Sequence, residues 1–334
     1  MKKKFNIGIM GCGQIAIKMV EAIMELQQSE EALYDYHVCA VASRSEQKAK
    51  LFAKEHVTGK DKKTVALLGS YEELAAMDDI DLIYVATPNH AHFENTMLCI
   101  KSGKNVLVEK PFMMSKDQAQ QIFVEATNRR VFVCEAMWTS FMKLHAKMLE
   151  WIDAGKIGDV KYISSNLGYE IAHRERLTSL AMGGGAYLDL GVYTTHLALS
   201  VLGDDLIVSD VFCKKTSTGV DRITDYRLEQ LDKGAYSTSY VVMDAKTDRS
   251  GHIIGTKGRI DIQNINCYER IDLFDHDYQL VESVVAEGLG GYAQELQGCA
   301  KAIINGRIQA NEMPWSRTMA LATINDEILR RMNR

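Results

Sequence analysis

Phe5-Asn6-Ile7-Gly8-Ile9-Met10-Gly11-Cys12-Gly13-Gln14-Ile15-Ala16 runs from an apolar stretch of strand length through a glycine-rich turn into a helical period that continues to about residue 25. Strand, glycine turn and helix in that order form the phosphate-binding corner of a dinucleotide fold. Gly11 permits the tight turn, Gly13 lets the backbone approach a pyrophosphate, and small Ala16 lets the helix lie close on its sheet. The N–H groups at the helix start, around Gln14 and Ile15, are placed to hold phosphate oxygens.

The alternation repeats downstream. Strand-like runs at 5–10, 38–42, 82–86, 105–108 and 131–134 are separated by helical periods at 15–25, 46–55, 72–77, 93–101 and 116–128. Capping boxes open two of the helices, Ser70-Tyr71-Glu72-Glu73 and Ser115-Lys116-Asp117-Gln118. Such alternation requires right-handed crossovers and predicts a doubly wound parallel sheet over residues 1–135. From about 136 the rhythm changes. Helical stretches at 141–154 and 186–201 flank a strand at 160–167. Period-two segments come next, around 207–214, 225–231, 234–242, 251–255 and 259–262, before closing helices at 292–304 and 316–332. Strands in succession predict a second α/β domain, 136–334, built on a mostly antiparallel sheet.

Asn105-Val106-Leu107-Val108-Glu109-Lys110-Pro111 ends a buried-type strand in a carboxylate, an amine and a proline. Ligands of open α/β sheets collect beyond the carboxyl ends of the strands, which makes Lys110 a candidate for chemistry; a surface lysine in a turn is the plainer alternative. The second strand ends Ala42-Ser43-Arg44-Ser45. An acid there would bond the ribose 2′-hydroxyl of NAD, whereas hydroxyls and a guanidinium favour the 2′-phosphate of NADP, with NAD still open. Within 183–196, Gly-Gly-Gly-Ala-Tyr-Leu-Asp-Leu-Gly-Val-Tyr-Thr-Thr-His, a continuous helix would set Asp189, Tyr193 and His196 on one face at i, i+4 and i+7. Polar groups on an apolar segment need partners, and a substrate pocket supplies them; for His196 a hydrogen-bonded core histidine is an equal reading. A metal held by these three lacks a further ligand and is set aside.

Composition excludes other classes. The chain has 334 residues, 46% hydrophobic, and a formal charge of -5 without a Lys/Arg block, which argues for two domains and against nucleic acid or an anionic membrane as partner. No apolar run reaches the roughly 18 residues of a membrane span. The start Met1-Lys2-Lys3-Lys4-Phe5 imitates a signal segment, but Gly8, Gly11 and Gly13 interrupt the apolar stretch behind it, so a cytoplasmic location is expected. The seven cysteines are scattered, as reduced thiols are.

Taken together, Gly11 to Ala16, Thr87-Pro88-Asn89-His90-Ala91-His92, Glu109-Lys110-Pro111, the segment 183–193, Gly255-Thr256-Lys257-Gly258 and the closing helices resemble the Gfo/Idh/MocA oxidoreductases over nearly the whole chain. The resemblance implies a Rossmann domain leading into an α/β domain with an open sheet, through which dimers commonly form; a homodimer or dimer of dimers is therefore expected. It also implies that Thr87, Pro88, Asn89, His92, Glu109 and Lys110 join the glycine turn in holding the cofactor, and that Lys110 and Asp189 stand beside nicotinamide and substrate. Tyr193, where the inositol dehydrogenase branch has His, looks most like the dimeric dihydrodiol dehydrogenase branch. Ser140 and Lys143 depart from that branch, so a particular substrate does not transfer. The expected chemistry is hydride transfer to or from a sugar, polyol or dihydrodiol carbon, with Tyr193 as acid or base. Its phenol, of ordinary pKa near 10, would be favoured as phenolate by the Lys110 ammonium. Asp189 would orient Lys110 or the substrate. Trp138, Phe141 and Tyr169 are candidates for the substrate wall, with plain core packing as the alternative. An NAD-preferring aldose dehydrogenase and a non-catalytic dinucleotide sensor remain alternatives.

Overall fold

The computed structural model describes residues 2–332. The chain forms two compact units. The first is the chain as far as Trp138 together with Gly288–Trp315; the second is Thr139–Glu287 with the chain from Ser316 onward.

In the first unit β1 (Lys4–Met10), β2 (Asp35–Ala42), β3 (Ala66–Leu68), β4 (Leu82–Val85), β5 (Val106–Glu109) and β6 (Val133–Ala136) form a parallel sheet in the order β3-β2-β1-β4-β5-β6. This is the doubly wound dinucleotide-binding order, with its reversal between β1 and β4. Strands β4, β5 and β6 are buried at every position, which is why they read as unbroken apolar runs. The helices are α1 (Gln14–Gln28), α2 (Glu46–His56), α3 (Tyr71–Ala76), α4 (His92–Lys101) and α5 (Lys116–Arg129). Ser45, Ser70 and Ser115 cap α2, α3 and α5, each hydroxyl accepting from the backbone N–H three residues on. Helix α1 buries Ala16, Met19, Val20, Ile23 and Leu26 along one stripe, each large side chain contributing roughly 1.5–3 kcal/mol. Strand β3 escaped the sequence reading because three residues show no period.

The second unit holds α6 (Lys143–Asp153), β7 (Val160–Gly168), α7 (Val192–Leu202), β8 (Ile207–Lys215), β9 (Asp221–Gln230), β10 (Ala235–Val242), β11 (Gly251–Gly255), β12 (Gly258–Gln263), β13 (Arg270–Asp275) and β14 (Leu280–Val285). Its sheet runs β14-β13-β12-β11-β7-β10-β9-β8, antiparallel throughout except for β7 beside β10. Helices α6 and α7 pack on one face. Phe212, Tyr236, Tyr240 and Ile254 are exposed on strands of the same sheet. The predicted helix over 186–201 is broken in register: Tyr187–Gly191 forms a π-helical turn before α7. Gly191 allows it, since a Cβ there would overlap the Tyr187 ring. The Gly191 carbonyl lies 3.0 Å from Thr194 Oγ1 and 3.1 Å from Tyr226 OH, both able to donate to it. A wider turn rotates the residues downstream of it, so the i, i+4, i+7 arithmetic does not carry through.

Two helices close the chain. Helix α8 (Gly291–Ile304) belongs to the first unit, packing beside α1, with Gln297 Oε1 accepting the Leu33 N–H at 2.7 Å. This corrects the assignment of all of 136–334 to one domain. Helix α9 (Trp315–Met332) runs in the second unit from Ser316, where its Asn325 Oδ1 accepts the Tyr187 hydroxyl at 2.7 Å.

Candidate active-site residues

The cofactor corner is built at the carboxyl ends of β1 and β2. Gly11 has φ +104, donates to Ala42 O at 3.0 Å, and would bring a Cβ to 2.8 Å from Ala86 O, so no other residue fits the turn. Gly13, the N-cap of α1, is different. The nearest atom to a Cβ there is Ala86 O at 4.0 Å, and no side chain caps the helix. Glycine therefore leaves open space before uncapped N–H groups, which fits a pyrophosphate. Ala16 is wholly buried, while Gln14 is exposed and Ile15 half-buried. At the end of β2, Ser43 is buried and Arg44 is exposed. Lys48 and Arg44 act electrostatically on Cys12 and Tyr71 respectively, which places two cations and a phenol about this strand end. Lys48, one turn beyond Arg44, and Tyr71 were not singled out from sequence, although the i, i+4 spacing of the two cations was visible.

The ends of β4 and β5 are tied by His92. Its Nε2 lies 2.9 Å from Thr87 O, and its Nδ1 lies 3.0 and 3.2 Å from Pro111 O and Phe112 O. Burial lowers its pKa against the raising effect of those carbonyls. Asn95 Nδ2 donates to Thr87 Oγ1 at 3.1 Å; Pro88 is exposed and Asn89 half-buried. Glu109 is buried, accepting from Tyr84 OH and, at 3.1 Å, from the Lys110 backbone N–H. Lys110 is half-buried, and the Lys110–Pro111 peptide is cis. Trp138 stacks on Tyr292 with ring centroids 4.2 Å apart, over Gly291, where a Cβ would come within 2.7 Å of the indole. Tyr292 was also not singled out from sequence.

In the second unit Asp189 and Tyr193 are both buried. Asp189 Oδ1 accepts from Arg176 Nη1 at 3.0 Å. Arg176 lies on a short 3-10 turn, Glu175–Leu177, in an irregular segment whose chain gave no period, so only the contact exposes it. That segment is fixed by backbone bonds from Gly184 N to Ser179 O (2.9 Å) and from Gly185 N to Leu177 O (3.0 Å). His196 is buried, with Ser140 Oγ at 2.7 Å and Ser200 Oγ at 3.4 Å from Nε2 and the His145 ring 5.4 Å away. Burial, then His145 and Arg317, drive its pKa well down, so it is neutral. Tyr169 donates its hydroxyl proton to Asn266 Oδ1 at 2.9 Å and accepts from Arg249 Nη1 at 3.3 Å. Phe141 is buried.

The parallel sheet in dinucleotide-binding order, with its open phosphate corner, fits a nicotinamide dinucleotide in the first unit. Residues 5–136 match the family model described as an oxidoreductase family with NAD-binding Rossmann fold, and residues 145–261 match the GFO/IDH/MocA C-terminal domain. The chain belongs to the Gfo/Idh/MocA family and is an NAD(P)-dependent oxidoreductase. It is 30% identical to the trans-1,2-dihydrobenzene-1,2-diol dehydrogenase of Xenopus tropicalis across 97% of both chains. It is 28% identical to the D-xylose 1-dehydrogenase (NADP(+)) of Hypocrea jecorina across 97% of this chain and 90% of that one. Among solved structures it is similar in fold to the 3-ketoreductase KijD10 of Actinomadura kijaniata, crystallised with NADP and TDP-benzene, at TM-score 0.84, 23% identity and 98% coverage of each chain. The two relatives similar in sequence over nearly the whole chain are both dehydrogenases, which does not favour the sensor alternative.

Proposed function

We propose that the chain transfers hydride between NADP and a carbinol or carbonyl carbon of a sugar, polyol or dihydrodiol, with Tyr193 moving the proton. The observation that carries this reading is the π-helical turn, which seats a buried Asp189, paired with Arg176, four residues before a buried phenol in an otherwise apolar segment. Bound nicotinamide supplies the hydride acceptor or donor. Gly11, Gly13, Gln14, Ile15 and Ala16 hold the pyrophosphate, and the strand ends from Thr87 to His92 and at Glu109 shape the remaining wall. Lys110 favours the phenolate and polarises the substrate oxygen, while Asp189 orients the reacting hydroxyl. Trp138, His196 and Tyr169 are assigned to the substrate side. The names of the dihydrodiol and xylose dehydrogenases support the substrate class. Monitoring nicotinamide absorbance over a panel of sugars, polyols and dihydrodiols tests it; cofactor binding without turnover on any of them would overturn it.

Exposed Arg44 beside Ser43 supports preference for NADP. A charge-assisted contact to the 2′-phosphate contributes about 1.5–3 kcal/mol, or roughly ten- to a hundredfold in affinity. Arg44→Ala is expected to weaken NADP by that factor and leave NAD nearly unchanged. Calorimetric titration of both cofactors checks this, and equal wild-type affinities would contradict it.

The exposed aromatics Phe212, Tyr236 and Tyr240 support a homodimer or dimer of dimers joined through the second unit's sheet, where a concavity of about 460 Å³ lies between Tyr162, Phe212, Arg227 and Tyr240. Light scattering at micromolar concentration is expected to give at least twice the 37.4 kDa chain mass. A Tyr240→Glu variant should give the single mass. A monomeric wild type would refute the assembly.

A further inference from the structure

Glu295 is the most anomalous polar group in the first unit. It is fully buried, and neither carboxylate oxygen has a hydrogen-bond partner. Buried carboxyls are normally bonded or paired, so its state requires an explanation. Its surroundings are set by register. Tyr84 and Cys134 both lie opposite Leu107 in the parallel ladder, and Glu109 is two residues beyond Leu107, so Tyr84, Glu109 and Cys134 share one sheet face. On α8, Tyr292, Glu295 and Cys299 recur at i, i+3 and i+7; Glu295 and Cys299 both act electrostatically on Cys134, and Glu295 also on Tyr84 and Glu109, which sets that stripe against the same sheet face.

Glu295 therefore faces acids and weak acids on three strands, Tyr84 on β4, Glu109 on β5 and Cys134 on β6, while Glu135, on the opposite face of β6, acts on it electrostatically. Neighbouring α1 turns its titratable Lys18, Glu21 and Glu25 to its exposed side. Burial first, then Glu109, Cys134 and Glu135, raise the Glu295 pKa well above the carboxylate range. Glu109 in turn accepts the backbone N–H of Lys110.

We propose that Glu295 is a positioning residue held as the neutral acid, which spares Glu109 a further buried charge on its own sheet face and so keeps the strand end that carries Lys110 in place. The positioning half rests on the catalytic role proposed for Lys110; the protonation half does not. A carboxyl neutral in the fold and ionised when unfolded binds an extra proton in the native state above pH about 4.3. Stability contributed by that proton is complete below the unfolded pKa and is lost as pH rises toward the folded one. Glu295→Gln mimics the neutral acid and removes this dependence.

The denaturation midpoint of Glu295→Gln, relative to wild type, should therefore climb steadily from pH about 4.3 into the alkaline range. Should the amide fail to fold, Glu295→Met serves the same comparison. A difference that does not vary with pH would show an ionised Glu295 and overturn the proposal. The second readout is kcat in the alcohol-oxidising direction, where a Tyr193 base gains from alkaline pH and cannot itself cause a fall. Wild type should lose turnover at alkaline pH, and Glu295→Gln should move that loss upward by about one pH unit or more. Superimposable profiles would overturn the positioning role. If Lys110→Met left turnover intact, the catalytic reading of Lys110 would fail instead, and the stability comparison would still decide protonation.

Discussion

Tyr193→Phe is expected to keep fold and cofactor affinity while turnover falls by roughly 10²–10⁴-fold. Tyr193 is only 6% exposed, in the first turn of α7, and Phe preserves the ring that packs there while removing the transferable proton. Stopped-flow turnover beside a cofactor titration separates the two effects. Lys110→Met should also cut turnover, and, on the role proposed for Lys110, residual activity in the oxidising direction should require higher pH, because a phenol deprived of that cation ionises later. The double variant should lose little more than either single one, since each alone already disables the pair. Near wild-type turnover by a folded Tyr193→Phe protein would falsify the assignment. His196 is a poor substitute: burial holds it neutral, and Ser140 and Ser200 already engage its Nε2. Such a result would therefore pass the proton to Lys110.

How much the sequence disclosed depends on how local each signal is. The phosphate corner was legible because its requirements sit within six consecutive residues, and Gly11 and Gly13 answer two separate demands, a positive φ and open space. Strands β4 to β6 were legible because burial on both faces forces continuous apolar runs. Long-range contacts were not. The return of α8 to the first unit depends on its packing beside α1, and no local period says which element a helix will pack against. Arg176 is likewise invisible until the loop bonds of Gly184 and Gly185 bring its turn back toward Asp189. Strand β14 was missed because it is an edge whose residues are exposed or half-exposed, so burial imposes no alternation of residue type. The π-helical turn failed for a different reason. Periodicity assumes 3.6 residues per turn, and only the close pairing of Gly191 with Tyr187 discloses the departure.

Gly185→Ala is expected to be among the most damaging single-methyl changes in the second unit. Gly185 has φ +115, and its added Cβ would collide with Asp221 Oδ1. The backbone strain alone costs about 1–3 kcal/mol. Asp221 cannot simply move aside, because it is buried and its Oδ2 accepts the Tyr187 N–H at 2.8 Å and the Thr224 hydroxyl at 2.6 Å. Leaving such a buried carboxylate short of a donor costs about 1–3 kcal/mol more. The two together come to roughly 2–6 kcal/mol, a large share of the 5–15 kcal/mol that holds a typical domain. Gly203→Ala separates the causes: φ there is +103, yet nothing lies within 4 Å of a new Cβ, so it carries the strain without the collision. Gly185→Ala should lower the denaturation midpoint clearly more than Gly203→Ala. It should also lower turnover, because the Tyr187 N–H held by Asp221 begins the π-helical turn that seats Asp189. Equal losses from the two substitutions would mean that Asp221 yields freely and does not anchor that turn.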